Sequence, residues 1–402
     1  MIVEPHGSST PTSADTARLR GLDLLRAVAI VLVLMSHYTS FVAHAPVFGA
    51  IGNVGWAGVD LFFVLSGYLI GHQILAPIAR RETLSLKIFF ARRLLRTLPN
   101  YYAVLAVYLL AILLFPRSPI LGSTTPPLWQ LLSFTQNIGL AYGQTFTHSW
   151  SLCIEEQFYV ILPLVVLAIA QTGQHALRVR LGWYVLAGAI AFGITSRAAA
   201  WMAYGYDGFA AQVYYSSVSR FDELLPGVAI AMLRNFYPVP FARLLRHGNA
   251  LFVGGLAAAT AILYCISNEV PNQFVTTAFG FSLVAASFSL LVCSALSPTC
   301  VLNRVRMPGA SSLALWSYAI YLVHKPIFMA MRPTLLELNI DPSMPWCVLT
   351  VGAMGVAGGW LLFRCVETPF MRMRARLFPA NPSVATADSL THAGNKEVAA
   401  LQ

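Results

Sequence analysis

The sequence predicts an all-α fold: a polytopic integral membrane helical bundle of about ten transmembrane helices, with both termini in the cytoplasm. Three observations predict it. Of 402 residues, 57% are hydrophobic and only 10% charged, against about 25% charged in a soluble domain. Apolar segments of roughly 17–24 residues, long enough to span the hydrocarbon of a bilayer, recur about ten times. The basic residues fall in alternate loops.

The expected spans are 22–43, 55–76, 98–116, 152–171, 181–201, 213–233, 249–267, 273–296, 312–331 and 345–365. With the N-terminus inside, 20 Lys and Arg lie in inner segments and two, Arg117 and Arg332, in outer ones. So steep an asymmetry fixes orientation and requires an even number of crossings. It also accounts for the net charge of +10 without a nucleic-acid partner; the partner the composition demands is a lipid bilayer. The first span is not a cleaved signal peptide, being too long and carrying Arg26 inside it. Residues 1–17, rich in Ser, Thr and Pro, read as a disordered tail, 18–370 as the transmembrane domain and 371–402 as a cytoplasmic tail. The six cysteines show neither disulfide nor metal-ligand spacing, and no metal is expected.

Within this frame the ionisable residues at membrane depth are the functional candidates, because burying them in lipid is expensive. Arg26 and His37 are 11 residues apart in the first span, about three turns plus 20°, so they share a helix face about 16 Å apart. Asp60 opens the second span; it either orients the His37 imidazole or sits solvated at a helix start. Ser66 and Gly67 read as small residues for close helix packing. Arg92, Arg93 and Arg96 form a cluster before the third span, either a topology anchor or a cradle for a phosphorylated ligand, since guanidinium forks match phosphate oxygens. The outer loop 117–151 is the longest, with a short interfacial or re-entrant helix expected at Pro127–Thr135, and loops of that length tend to be functional. It ends in Thr147-His148-Ser149-Trp150, followed by Glu155 and Glu156, which are expected in the first turn of the fourth span near the outer surface. Trp150 and Tyr159 suit either an interfacial belt or stacking on a sugar ring. Arg220 is followed by Glu223 three residues on, so the two neutralise each other or bind a substrate. His324, with Lys325 beside it, is a second histidine at membrane depth.

A phosphate-suited arginine cluster inside, a histidine far across the membrane and carboxylates with aromatics outside fit acyl transfer from a cytoplasmic donor to an outer acceptor. Coenzyme A is such a donor, and imidazole is a natural base toward a hydroxyl. A secondary transporter or a flippase of an acylated glycan also fits the spans but leaves the clustered arginines unexplained.

At these residues the chain resembles the acyltransferase-3 family of integral membrane acyltransferases, of the bacterial surface-glycan O-acetyltransferase type. The resemblance covers about residues 18–370 and rests on seven motifs in order: RGLDLLRAVAIVLVLMSH, GVDLFFVLSGYLIG, RRLLRTLP, SWSLCIEEQFY, RFDELLPG, SYAIYLVHKP and ETP. It implies His37 as catalytic base, acyl-CoA, most commonly acetyl-CoA, held by Arg26 and the Arg92, Arg93 and Arg96 cluster, and Glu155 rather than Glu156 as the site glutamate. Asp60 joins His37 and Glu155 as a catalytic candidate; Trp150, Tyr159, Arg220 and His324 are candidates for the acceptor side. The implied acceptor is a glycan or glycolipid hydroxyl and the implied location a bacterial inner membrane. Some members carry a C-terminal esterase-like domain that completes the transfer; in its place this chain is expected to act alone or with a separate periplasmic partner.

Overall fold

The computed structural model describes residues 13–116, 118, 121–268 and 274–378. Most of the expected N-terminal tail, Arg117, Lys396 and the C-terminal tail from Pro379 onward lie outside the described residues. Within them there is no strand. The main helices are α1 (Ser13–Tyr38), α2 (Ala57–Ala79), α3 (Leu86–Leu114), α4 (Trp150–Ala170), α5 (His175–Tyr204), α6 (Leu225–Phe236), α7 (Gly248–Asn268), α8 (Phe274–Leu296), α9 (Ala310–Glu337) and α10 (Pro345–Leu362). All of these but α6 are long and apolar enough to cross a membrane, and the chain is a multi-pass helical membrane protein.

α1 lies among α2, α8 and α9, while α2 packs on α6, α7 on α8 and α9 on α10. Ala29 and Ile30 of α1 are fully buried, whereas Val107, Leu113, Met202 and Leu349 face outward, as expected where the surrounding solvent is hydrocarbon. The expected inner segments meet one another. Gly21 N–H donates to the Asn303 side-chain oxygen (2.9 Å), the Ser297 hydroxyl to the Leu245 carbonyl (2.6 Å) and Arg92 to the Phe378 carbonyl (2.7 Å). At the other end the Tyr38 hydroxyl donates to the Pro342 carbonyl (2.7 Å) and Arg332 to that of Val42 (2.5 Å).

Two elements depart from expectation. α3 begins at Leu86, twelve residues before the expected span, with Ser85 as N-cap accepting from Ile88 N–H at 3.4 Å. The FFARRLLRTLP run is helix, as arginines one turn apart suggest, and it is continuous with the span, since Leu and Arg propagate a helix once it is capped. The expected sixth span, 213–233, is not one continuous helix. It consists of a single turn Ser217–Arg220, a tight 3₁₀ turn Phe221–Leu224 and the twelve-residue α6, which has Pro226 in its first turn. Contacts along α5 show that this broken segment still covers the depth of a span: Asp222 meets Arg197, Met232 lies at Gly182 and Phe236 stacks near His175. Residues 175–197 of an α-helix extend about 33 Å. Irregular backbone at that depth is tolerated only inside protein, and here it is enclosed by α2, α5 and α8. Gly67 and Gly227 permit the closest approach, because a Cβ on Gly67 would strike the Leu224 carbonyl and one on Gly227 that of Val64.

The outer loop turns inward. Its helix, Leu128–Ser133, falls within the expected Pro127–Thr135, and the carbonyls of Leu131 and Leu132 accept from the Tyr101 and Tyr102 hydroxyls, both at 2.8 Å. Phe134 and Phe146 both adopt left-handed backbones (φ 56° and 60°), a conformation that costs about 1–3 kcal/mol in a bulky residue. Both rings pack at a tilt against Tyr101, with centroids 4.1 and 5.3 Å away, which holds them there. Gln136, Asn137, Thr145, Thr147, His148 and Ser149 are all buried, so the inner part of the loop packs as a plug with a polar core.

Candidate active site

The inward course of this loop sets the level of α4. Because Thr147–Ser149 form a buried 3₁₀ turn before Trp150, Glu155 and Glu156 stand in the second turn of α4, well below the outer surface. This corrects the expected first-turn, outer placement. Glu155 meets Arg93 at 3.8 Å and Glu156 meets it at 4.0 Å, and Arg93 belongs to the inner part of α3. The carboxylates and the arginines expected at opposite faces of the membrane are neighbours.

Between them lies a narrow cavity of about 100 Å³ lined by Arg26, Ser66, Arg93, Arg96, Glu155, Glu156, Ser151 and Tyr321 among others. Arg93 lies 3.7 Å over the Tyr159 ring, and its Nε is buried without a hydrogen-bond partner. Arg26 and Arg96 line the cavity and make no hydrogen bond or ion pair with the described residues. One Glu155 oxygen accepts from the Ser66 hydroxyl (3.0 Å) and from the Tyr159 hydroxyl, so Ser66 does more than allow close packing. Three guanidiniums outnumber two carboxylates, and their donors are largely unused; such a site suits an anion with several oxygens. Arg92 does not line this cavity. It turns toward the Phe378 carbonyl instead.

The outer wall of the cavity is Ser151 and Tyr321, which share a hydrogen bond of 2.7 Å. The Tyr321 hydroxyl also donates to the His148 carbonyl (2.5 Å), and its ring lies 5.8 Å from that of His324. Beyond this wall stand three histidines. His37 Nδ1 is 2.6 Å from His324 Nε2, and the ring centroids of His148 and His324 are 5.9 Å apart. The geometry of α9 explains His148. In a regular helix the Leu322 carbonyl would accept from the N–H of residue 326, but that residue is Pro326 and has none. The freed carbonyl accepts from His148 Nε2 at 2.9 Å, leaving His148 Nδ1 buried and unpartnered. Sequence reasoning passed over His148 as one letter of a loop. The usable signal was that three histidines fall among apolar runs, one of them two residues before a proline.

The other expected site residues are elsewhere. Asp60 does not reach His37; it accepts from Arg220 at 2.5 Å, and Arg220 also pairs with Glu223. Arg220 is enclosed by the rings of Phe281 (3.8 Å), Tyr214 (5.0 Å) and Trp150 (5.1 Å), so neither Arg220 nor the buried Trp150 offers an acceptor-facing group. Tyr159 is likewise buried beneath Arg93 and not at the outer rim. His324, expected on the acceptor side, is instead the partner of His37. A larger groove of about 1060 Å³ among α2, α4, α5 and α6 is lined mostly by aliphatic side chains such as Ile161, Leu162 and Val165. It contains none of Arg26, Arg93, Arg96, Glu155 or Glu156, so the smaller cavity is the one equipped with the arginines and glutamates. Among the described residues no group of three or more His, Cys, Asp and Glu side chains is arranged to hold a metal.

Comparison with known proteins finds relatives along most of the chain. The acyltransferase 3 family model, described as an acyltransferase domain, matches residues 19–364. The peptidoglycan O-acetyltransferase OatA of Listeria monocytogenes is 28% identical over 375 residues, 87% of this chain and 55% of its own length. The putative peptidoglycan O-acetyltransferase YrhL of Bacillus subtilis is 28% identical over 331 residues, 78% of this chain and 49% of its own. A putative O-acetyltransferase of Staphylococcus aureus is 25% identical over 387 residues, 90% and 59% respectively. The chain thus spans about half the length of the curated relatives it matches. No solved structure matches it.

Proposed function

The chain belongs to the acyltransferase 3 family, and on that premise we propose that it is a membrane O-acyltransferase that moves an acyl group, most simply acetyl, from cytoplasmic acyl-CoA to a hydroxyl of a cell-envelope glycan or glycolipid. The relatives' names, two of which specify peptidoglycan, support the O-acetyl assignment and a glycan acceptor. The observation that carries the reading is the adjacency of the two parts of the site. Unused guanidinium donors line one end of a narrow cavity, and its far wall, Ser151 and Tyr321, abuts the histidine cluster. A volume of about 100 Å³ is far below the roughly 300–1,000 Å³ of a pocket that encloses a whole ligand, so the nucleotide of the donor lies outside it. The nucleotide end of the donor stays at the arginine mouth, and Arg26, Arg93 and Arg96 supply the charge its phosphates need.

His37 then acts as general base. It accepts the proton of the acceptor hydroxyl as that oxygen attacks the thioester carbonyl; the C–S bond breaks and the proton passes from the imidazole to the leaving sulfur. The bilayer in question is the cytoplasmic membrane of a bacterium, with the arginine end inside. The test is acetyl transfer, or hydrolysis of acetyl-CoA, by membranes carrying the chain. His37→Ala is expected to lower the rate about 10²–10⁴-fold, the usual contribution of a positioned base. Wild-type rates in that variant would remove His37 from the chemistry.

A further inference from the structure

We propose that His324 is a positioning residue that holds His37 as its Nδ1–H tautomer and leaves Nε2 as the basic nitrogen; this rests on His37 being the base. The argument is one of donor accounting. His324 Nδ1 lies 3.0 Å from the Ile320 carbonyl, an oxygen that only accepts, so Nδ1 carries the hydrogen. A neutral imidazole has one N–H, and His324 Nε2 is therefore a lone pair. The 2.6 Å contact from that atom to His37 Nδ1 needs one hydrogen, which His37 must supply. His37 Nε2 is then left bare. It is not among the buried atoms lacking a partner, so it is open to an incoming hydroxyl.

Ile320 thus fixes His324, and His324 fixes His37. When His37 takes a proton at Nε2, its Nδ1–H still donates to His324, so the new charge faces a lone pair. The orienting group expected at this position was Asp60, which is committed to Arg220. A neutral imidazole in its place orients the base without adding a resting charge at membrane depth, where an unpaired charge is costly. Lys325, whose ammonium lies 4.8 Å from the Phe41 ring centroid, and His148 are the other ionisable groups beside the pair. A carboxylate there would interact with both.

The test reads the tautomer directly. In the full chain, labelled with ¹⁵N-histidine and held in lipid nanodiscs, His37 is expected to show a protonated Nδ1 and a bare Nε2; in His324→Leu it should change to the Nε2–H form preferred by a free imidazole. A wild-type His37 protonated at Nε2 alone would overturn the proposal. The kinetic arm uses acetyl-CoA. His324→Leu is expected to lower kcat roughly 100-fold with KM little changed, and His324→Gln, whose amide oxygen can accept from Nδ1–H, to regain at least about tenfold of that loss. Equal losses in both variants would mean that the lone pair is not what matters, and the proposal would fall. If the tautomer is as expected while His37→Ala keeps wild-type activity, the functional reading fails and the positioning of His37 stands.

Discussion

Two buried arginine clusters are built from the same residue types and end in opposite states. Around the broken sixth span, Arg197 and Arg220 face Asp60, Asp222 and Glu223. Arg197 donates to both Asp222 oxygens (2.6 and 3.0 Å), to the Ser282 hydroxyl (2.5 Å) and to the Ala278 carbonyl (3.0 Å), and Arg220 is shared between Asp60 and Glu223. Both arginines are sealed from solvent. Around the cavity, among the described residues, only Arg93 comes near a carboxylate, Glu155 at 3.8 Å and Glu156 at 4.0 Å, while Asp23 acts on Arg26 and Glu367 on Arg96 at longer range. In the first cluster the guanidiniums are engaged in short hydrogen bonds to carboxylates; in the second the carboxylates stand farther off and the donors are open. Charge at membrane depth therefore has two meanings, and donor accounting separates them. On the proposed function, a satisfied arginine holds the fold and one with open donors binds the ligand.

The largest expected effect breaks the first cluster. Arg220→Ala leaves Asp60 and Glu223 buried and uncompensated, a change that costs about 3–5 kcal/mol, and thermal unfolding in detergent should show a large drop in melting temperature. Replacing all three charges at once, with Arg220→Met, Asp60→Asn and Glu223→Gln, should recover most of it, because no charge is then left without a partner. If Arg220→Ala melts like the wild type but raises the KM for acyl-CoA, the cluster is a binding site and the contrast fails.

That contrast also marks what the sequence could reveal. Long apolar runs gave the helical membrane class and the position of nearly every crossing, because hydropathy is a local property. The shared face of Arg26 and His37 was legible too, since it follows from helical period alone. Pairings were not. Asp60 and Arg220 are 160 residues apart, and an aspartate at a helix start looks the same whether it meets a histidine or an arginine. The depth of Glu155 was hidden for a related reason: it is set by the inward fold of residues 134–149, held by Tyr101 and the Gln136 and Asn137 side chains, and no periodicity encodes that. The role of Pro326 in freeing the Leu322 carbonyl for His148 was readable in half. The missing hydrogen bond follows from the sequence, but the group that takes it does not.

A smaller effect is expected at the open cluster, and in a different observable. A hydrogen bond to a charged group is worth about 1.5–3 kcal/mol, so Arg26→Ala or Arg96→Ala should raise the apparent KM for acyl-CoA about 10- to 100-fold. Because neither side chain makes a hydrogen bond or close ion pair among the described residues and their carboxylate neighbours, Asp23 and Glu367, act only at longer range, the melting temperature should fall far less than in Arg220→Ala. A large loss of stability with unchanged KM would place these arginines with Arg220 as scaffold.

The smallest effect sharpens the boundary between the two classes. Arg92 is adjacent to Arg93 in sequence, and a motif cannot tell them apart, yet consecutive helical positions point about 100° away from each other. Arg93 faces the cavity, while Arg92 donates to the Phe378 carbonyl at 2.7 Å and joins α3 to the end of the helix that follows α10. Removing one partly exposed hydrogen bond of this kind costs about 1 kcal/mol, so Arg92→Ala should melt slightly lower with the KM for acyl-CoA unchanged. Titrating acyl-CoA against Arg92→Ala and Arg93→Ala side by side checks the distinction. Equal rises in KM would mean that the donor's phosphates draw on both faces of α3, which requires the Phe378 carbonyl to leave Arg92 when the donor binds.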